Sequence, residues 1–168
     1  MAHGPRYHVK PRRRRWGVTD YRKRLRLLKS KKPRLVIRKT LRNTLVQFVE
    51  YKEKGDHILT CASSKDLVSK YKWKHSTSNT PAAYLTGLIA GKKAKDLGIK
   101  ECVLDIGRYI PTTGGKLFAS LKGVVDAGVI CSHDESKLPS DDRIYGKHID
   151  DKIMKDVDEI KKTIIGGK

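Results

Sequence analysis

The stretch NTPAAYLTGLIAGKKAKDLG, residues 79–98, predicts the helix around which the fold is built. Asn79 is a favourable N-cap, Pro81 is expected at the first helical position, and Gly98 ends the helix. Small side chains recur along it, which lets its backbone approach a sheet closely. They belong to Ala83, Gly87, Ala90, Gly91 and Ala94. Lysines at positions 92, 93 and 95 leave too short an apolar stretch for a membrane helix of the GxxxG type, so the pattern indicates packing in a soluble protein.

Strands and helices flank this segment in an order typical of a mixed sheet. Before it, the pattern predicts a helix from Asp20 to about Lys29, strands at 35–41, 44–51 and 57–62, and a short helix at 64–71. After it, we expect a strand at 102–106, a helix at about 116–127, a short strand at 129–131 and a last helix at about 150–164. The strand at 102–106 follows a long helical crossover, so it should run parallel to its neighbour.

This order predicts an α/β fold: a mixed sheet, with an antiparallel three-strand meander plus parallel strands, packed helices and a ribonuclease H-like topology. A basic N-terminal arm and a C-terminal helix are added to it. We divide the chain into the arm and first helix (1–32), an α/β body (33–132), and an acidic loop with the C-terminal helix (133–168). In the first helix, the apolar stripe Tyr21, Leu25 and Leu28 is expected to dock on the body.

Positive charge is concentrated at the start of the chain. Residues 1–42 contain seventeen Lys and Arg and one acid, Asp20, and so hold sixteen of the twenty net positive charges. Such a field selects polyanions. We expect the run at 11–17, PRRRRWG, to stay extended and disordered until phosphates neutralise it. A solvated basic tail or a nuclear-address patch would carry the same charge, but the interleaved rings of Tyr7, Trp16 and Tyr21 favour stacking on bases.

Composition and the remaining patterns exclude several classes. With 38% hydrophobic and 33% charged residues the protein should be soluble, and its cysteine usage indicates a cytosol-like, cytoplasmic compartment. No apolar run is long enough to cross a bilayer, and no apolar segment follows the N-terminal basic residues as in a secretory signal. The three cysteines, Cys61, Cys102 and Cys131, form no CxxC pair, so we expect reduced core thiols and no metal ligation.

No template for catalysis is complete. The segment ending in Gly114, Gly115 and Lys116 lacks the first glycine and the Ser or Thr of a phosphate loop. There is no HExxH and no GxSxG serine with a partner histidine. A nuclease of ribonuclease H type needs clustered carboxylates, and Asp105 has no visible partner. We therefore predict no catalytic residue, no metal site, no cofactor and no small-molecule substrate.

Two loops, like the arm, contain aromatic side chains, basic side chains and small side chains that donate hydrogen bonds. One spans residues 73–79 and the other 107–114. Either could be an ordinary surface loop with a packed aromatic ring, but together with the arm they favour RNA over duplex DNA. The candidate RNA-binding residues are Arg6, Tyr7, Arg12, Arg13, Arg14, Arg15, Trp16, Tyr21, Arg22, Lys23, Arg24, Arg26, Lys32, Arg34, Arg38, Arg42, Asn43, Trp73, Lys74, His75, Thr77, Asn79, Arg108, Tyr109, Thr112 and Lys116.

Several long motifs, in order, resemble one known family. They are GPRY at 4–7, TDYRKRLRLL at 19–28, KPRLV at 32–36, NTPAAYLTG at 79–87, VLDIG at 103–107 and DRI at 142–144. The family is the universal large-subunit ribosomal protein that binds 5S ribosomal RNA, number eighteen in the bacterial naming, here of the archaeal and eukaryal type. The chain departs from the family pattern in the loop at 74–78, which is usually richer in Gly. It lacks the long C-terminal extension of eukaryal members, which indicates an archaeal source.

The resemblance implies a structural, non-enzymatic constituent of the large subunit in the central protuberance. Its expected partners are 5S rRNA, 23S rRNA and neighbouring large-subunit ribosomal proteins, with no membrane. Two alternatives remain open from the residues alone. A metal-dependent nuclease of related fold would cleave RNA through Asp105, and a general nucleic-acid compacting protein would bind duplex DNA as tightly as 5S RNA.

Overall fold

The structure, a computed structural model, describes residues 4–166. The helices are α1 (Arg12–Arg15), α2 (Tyr21–Leu28), α3 (Ser64–Tyr71), α4 (Thr80–Asp96), α5 (Lys116–Asp126), α6 (Asp141–Ile144) and α7 (Asp151–Gly166). The strands are β1 (Arg34–Lys39), β2 (Thr44–Lys52), β3 (Gly55–Ser63), β4 (Glu101–Asp105) and β5 (Ile130–Cys131). A 3-10 turn at Glu135–Lys137 and the short α6 were not predicted.

One five-stranded sheet has the order β3-β2-β1-β4-β5. The first three strands form the predicted antiparallel meander, whereas β4 is parallel to β1 and β5 is parallel to β4. Every second side chain on β1 and β2 points to the same face, and Leu35, Ile37, Val46 and Phe48 belong to the core under the helices. The predicted mixed α/β sheet with packed helices is confirmed. The ribonuclease H-like topology stays a prediction.

The central helix α4 is buried at thirteen of its seventeen positions. Asn79 caps it by accepting a 2.9 Å hydrogen bond from the Ala82 amide. Because Thr80 is the first helical residue, Pro81 takes the second position rather than the predicted first. Helix α4 carries apolar residues on all sides over most of its length. It is therefore buried between the sheet, α5 and α7.

Helix α4 packs on β2 and β3, but its glycines lie against the helix α5 rather than the sheet, which corrects the prediction for these positions. A Cβ atom on Gly87 would lie 2.0 Å from the backbone oxygen of Ser120 in α5. The approach is reciprocal, since a Cβ on Gly123 would lie 2.2 Å from the carbonyl oxygen of Tyr84. The Ser120 hydroxyl also donates to the Ala83 carbonyl at 2.9 Å. Glycines on both helices therefore allow α4 and α5 to cross backbone against backbone.

The C-terminal helix α7 packs on α4. Its predicted stripe is buried: Ile153, Val157, Ile160 and Ile164. One further difference from expectation concerns the exposure of a cysteine. Cys61 is exposed, unlike the two buried cysteines, so it is not a core thiol. Among residues 4–166, no helix has both the length and the apolar character that a membrane crossing needs.

Candidate nucleic-acid interface

The arginine run forms one helical turn, α1, and the prediction of an extended run is wrong here. The Pro11 carbonyl accepts from the amides of Arg14 and Arg15 at 2.9 and 3.0 Å, and the Arg12 guanidinium lies 4.4 Å from the centre of the Trp16 ring. All four arginines are exposed. Their long side chains project into water, which screens the repulsion that was expected to prevent a turn. The Trp16 ring is 64% exposed and is available for stacking.

Helix α2 begins as predicted at Asp20, whose carboxylate accepts from the amides of Arg22 and Lys23 at 3.0 and 3.2 Å. The hydrogen bond from the Lys23 amide is the main reason that the pKa of Asp20 lies below its ordinary value. The predicted docking stripe is largely wrong: Tyr21 and Leu25 are 39% and 58% exposed, and Leu28 alone of the three is half-buried. Because no residue of α2 is fully buried, apolar contacts alone do not account for its position.

Polar contacts hold α2 across a cleft of about 850 Å³. The cleft separates α2 and the end of the arm from the face of the sheet that carries no packed helix. On one side Lys23 Nζ donates to the Gly107 carbonyl at 3.0 Å, and Arg24 Nη2 lies 2.7 Å from Asp56 Oδ1. On the arm, Arg108 donates to the Gly17 carbonyl. These contacts fix the basic segment to the ends of β3 and β4.

An alternating chain of charges continues from Arg24 into the sheet. Asp56 Oδ2 lies 2.8 Å from Arg34 Nη2, and Arg34 Nη1 donates to Asp105 Oδ2 at 2.9 Å. Asp105 Oδ1 in turn lies 3.2 Å from Arg38 Nη2. Three arginines thus alternate with two carboxylates from α2 through β3 and β1 to the end of β4. We call these five residues the ion-pair chain.

Asp105 is the buried centre of the ion-pair chain, with 6% of its surface exposed. Burial by itself raises the pKa of its carboxyl group, but the Arg38 charge and the hydrogen bonds from Gly107, Arg38 and Arg34 outweigh burial, and the pKa lies below its ordinary value. The Gly107 amide donates to Oδ1 at 2.8 Å, so the same carboxylate orients the following loop. Both carboxylate oxygens are neutralised by arginines, which is a structural arrangement rather than a metal-binding one.

Arg34 cannot contact RNA in this structure, although the sequence analysis proposed it. It is only 3% exposed, because it lies under α2 between Asp56 and Asp105. Arg38 is half-buried at the edge of the same cluster. The sequence showed two arginines on a strand rich in apolar residues, but it did not show which carboxylates lie opposite them.

The loop at 73–79 has mainly internal roles. Trp73 is 3% exposed, belongs to the core and donates from Nε1 to the Ser76 carbonyl at 3.2 Å, so its predicted stacking on a base is wrong. His75 Nε2 lies 2.7 Å from Asp156 Oδ2, a contact that ties the loop to α7. Thr77 donates to the Arg42 carbonyl at 2.7 Å. Of this predicted set, Lys74 is the exposed member.

The loop after β4 meets the turn after β1 at one edge of the sheet. The Tyr109 hydroxyl donates to the Lys39 carbonyl at 2.6 Å, which half-buries the ring. Next to it, Ile110 is 81% exposed, and Leu41 in the β1–β2 turn is 95% exposed. Neither apolar side chain was among the candidates from the sequence, and their position in polar loops was the available signal.

The remaining candidates divide by exposure. Those on the surface are Arg6, Tyr7, Arg12, Arg13, Arg14, Arg15, Trp16, Tyr21, Arg22, Lys23, Arg26, Lys32, Arg42, Lys74, Arg108 and Thr112. Those half-buried are Arg24, Arg38, Asn43, His75, Thr77, Asn79, Tyr109 and Lys116. Lys32 is paired with Glu101 at 2.5 Å. Most of the exposed candidates lie on the arm and on α2. The others lie at positions 32 and 42 and in the loops at 73–79 and 107–114.

Comparison with known proteins identifies the family of the protein that carries this basic surface. The sequence model of the family described as "Ribosomal large subunit proteins 60S L5, and 50S L18" matches residues 5–101, from the arm through α4 to the start of β4. The chain belongs to this family. It is also 53% identical over 149 residues to the large ribosomal subunit protein uL18 of Korarchaeum cryptofilum (strain OPF8), an archaeon. That alignment covers 89% of this chain and 76% of the relative.

Membership confirms the resemblance seen in the sequence motifs and places the chain among ribosomal structural proteins of the large subunit. The mixed α/β fold is consistent with that family. The matched range contains the arm, α2, Asp56 and Arg34, whereas Asp105 and the loop after β4 follow it.

Proposed function

We propose that this ribosomal protein binds 5S rRNA and attaches it to 23S rRNA in the central protuberance of the large subunit, beside neighbouring large-subunit ribosomal proteins. It acts as a structural RNA-binding protein without catalysis and without a cofactor. Support comes from its family and from a net charge of +20, of which sixteen charges lie within residues 1–42. A surface of this sign and density attracts a phosphate backbone.

The observation that carries the proposal is that the basic segment is anchored. Asp56 and the Gly107 carbonyl hold Arg24 and Lys23 at the inner side of α2. Arg22 and Arg26 remain exposed on the same helix. A helix fixed in this way presents its arginines in a defined direction, which lowers the entropy lost on binding compared with a free tail.

Two kinds of RNA contact are available on this surface. The exposed guanidiniums of α1 and α2 can bind phosphates with planar, paired donors. The Trp16 ring, 64% exposed, can stack on an unpaired base. The two contacts differ in their dependence on salt, because phosphate binding releases counterions and stacking does not.

The test is the affinity for 5S rRNA as a function of salt concentration. Replacing Arg12, Arg13, Arg14 and Arg15 by Ala should weaken binding and flatten the slope of log affinity against log salt by roughly 3 to 4 units, if each arginine neutralises one phosphate. The fold should survive, because all four side chains are exposed. Circular dichroism and urea unfolding check that point.

A matched control removes the same charge elsewhere. Lys54, Lys65, Lys70 and Lys100 are exposed and lie outside the proposed surface, so their replacement by Ala should change the slope much less. Equal effects of the two variants would mean that net charge, not the arm, drives binding. Duplex DNA bound as tightly as 5S rRNA at the same salt would favour a general compacting protein. Magnesium-stimulated RNA cleavage lost in Asp105→Asn would favour the nuclease.

A further inference from the structure

Two buried cysteines lie side by side on β4 and on the edge strand β5. Cys102 in β4 and Cys131 in β5 are partners in the parallel register. They are 3% and 5% exposed and belong to the same core. Paired residues on neighbouring strands point to the same face and are about 4.8 Å apart along the ladder. That spacing falls within the Cα separation of about 4.4–6.8 Å that a disulfide spans.

The third cysteine, Cys61, is too far away to form a disulfide with either member of this pair within one molecule. Cys61 lies on β3, at the opposite edge of the sheet, and β2 and β1 separate β3 from β4. Three strand spacings amount to about 14 Å, twice the largest separation that a disulfide bridges without backbone movement. Because Cys61 is exposed, it is a natural internal reference for reactivity.

The two thiols are not equivalent. The pKa of the Cys131 thiol lies below its ordinary value, because the neighbouring Cys102 thiol and the Leu104 backbone favour the thiolate, although burial opposes them. The Cys102 thiol is hydrogen-bonded to Cys131 and is buried, so its pKa is raised. The lowered pKa favours Cys131 as the nucleophile of the pair, and its strand β5 is also the exposed edge of the sheet.

We propose that Cys102 and Cys131 are a peroxide-sensitive dithiol whose oxidation links β5 covalently to β4. The Cys131 thiolate attacks one oxygen of hydrogen peroxide, the O–O bond breaks, and the departing hydroxide takes up the released proton as water. The resulting Cys131 sulfenic acid is attacked by Cys102 sulfur, which forms the S–S bond and releases a second water. In total, two thiols are oxidised, one peroxide is reduced, and two waters form.

Access follows from the weakness of the edge strand. β5 has two residues, and its Ile130 is 65% exposed. Opening of so short a strand breaks few ladder hydrogen bonds, and such edges open locally more readily than the core. A small oxidant can then reach Cys131, whereas the closed strand shields both sulfurs from bulky reagents. The link would enclose the whole of α5, which lies between the two cysteines in the chain.

The test uses the full-length protein with Cys61→Ser, so that the pair supplies every thiol. After hydrogen peroxide treatment, titratable thiols should fall from two to none, the intact mass should fall by two hydrogens, and a non-reducing digest should contain one peptide pair joined through Cys102 and Cys131. Dithiothreitol should restore both thiols. Oxidation in urea, where the register is lost, should yield the link more slowly at the same peroxide concentration.

A second variant identifies the nucleophile. In the double variant Cys61→Ser with Cys102→Ser, peroxide should convert Cys131 to a sulfenic acid, because the resolving thiol is missing. Dimedone should then label the Cys131 sulfur. The inference is overturned if both thiols of the first variant survive peroxide that fully oxidises Cys61 in the wild type. It is equally overturned if they gain oxygen without a link, and the first variant alone decides this if the second fails to fold.

Discussion

Replacing Asp105 by Asn should destabilise the protein strongly, because it removes the charge at the centre of the ion-pair chain. The carboxylate receives Arg34 at 2.9 Å, Arg38 at 3.2 Å and the Gly107 amide at 2.8 Å. Arg34 is only 3% exposed, its Nη2 atom lies 2.8 Å from Asp56 Oδ2, and its Nε atom is buried without a hydrogen-bond partner among the described residues. Removing one partner of a buried ion pair costs about 3–5 kcal/mol. Since Asp56 still lies near Arg34, we expect about 3 kcal/mol.

The measurement is the free energy of unfolding in urea at neutral pH, with Asp96→Asn as the matched control. Asp96 is exposed, so its variant should change the free energy by less than about 0.5 kcal/mol. A loss of similar size in both variants would refute the assignment of Asp105 as the buried centre, as would no loss in either.

Acid titration provides a second check on Asp105. Its pKa in the folded protein is lowered, so the stability it contributes is present above its ordinary, unfolded-state pKa and is lost as pH falls through the folded-state value. The difference between wild type and Asp105→Asn should therefore shrink in acid. A difference that grows as pH falls would contradict the direction of the shift.

Three further predictions concern single side chains. Trp16→Ala should weaken 5S rRNA binding by about 1–3 kcal/mol with an almost unchanged salt slope, since stacking releases no counterions; a flattened slope would show that Trp16 acts through the arginines. Trp73→Ala should instead cost about 3–5 kcal/mol of folding stability in urea unfolding, because the ring is 3% exposed, and an unaltered stability would mean that the ring is not core. Gly87→Ala should cost at least about 1–3 kcal/mol, because its Cβ would lie 2.0 Å from the Ser120 oxygen, whereas the control Gly166→Ala meets no atom within 4 Å; equal stabilities would contradict the close crossing.

The sequence by itself determined the five strands and the helices of eight or more residues, because their limits depend on local signals, whereas α1, α6 and the 3-10 turn were missed. Asp20 and Asn79 cap α2 and α4 through their own neighbouring amides. The β-branched and apolar runs of β1, β2 and β3, with the turns between them, indicated the meander. The concentration of charge in residues 1–42 is likewise a property of the chain, and together with the family motifs it indicated RNA before any contact was known.

Tertiary structure alone decided which of the candidate residues can reach a partner. Trp73 and Arg34 look like RNA ligands by type, yet both are 3% exposed. Arg34 is neutralised by Asp105, seventy-one positions away in the chain, and by Asp56 on another strand. Burial and charge neutralisation depend on which distant segments meet, and residue type or local spacing carries no information on that meeting. The arginines of the arm needed no such information, because nothing in the described fold covers them.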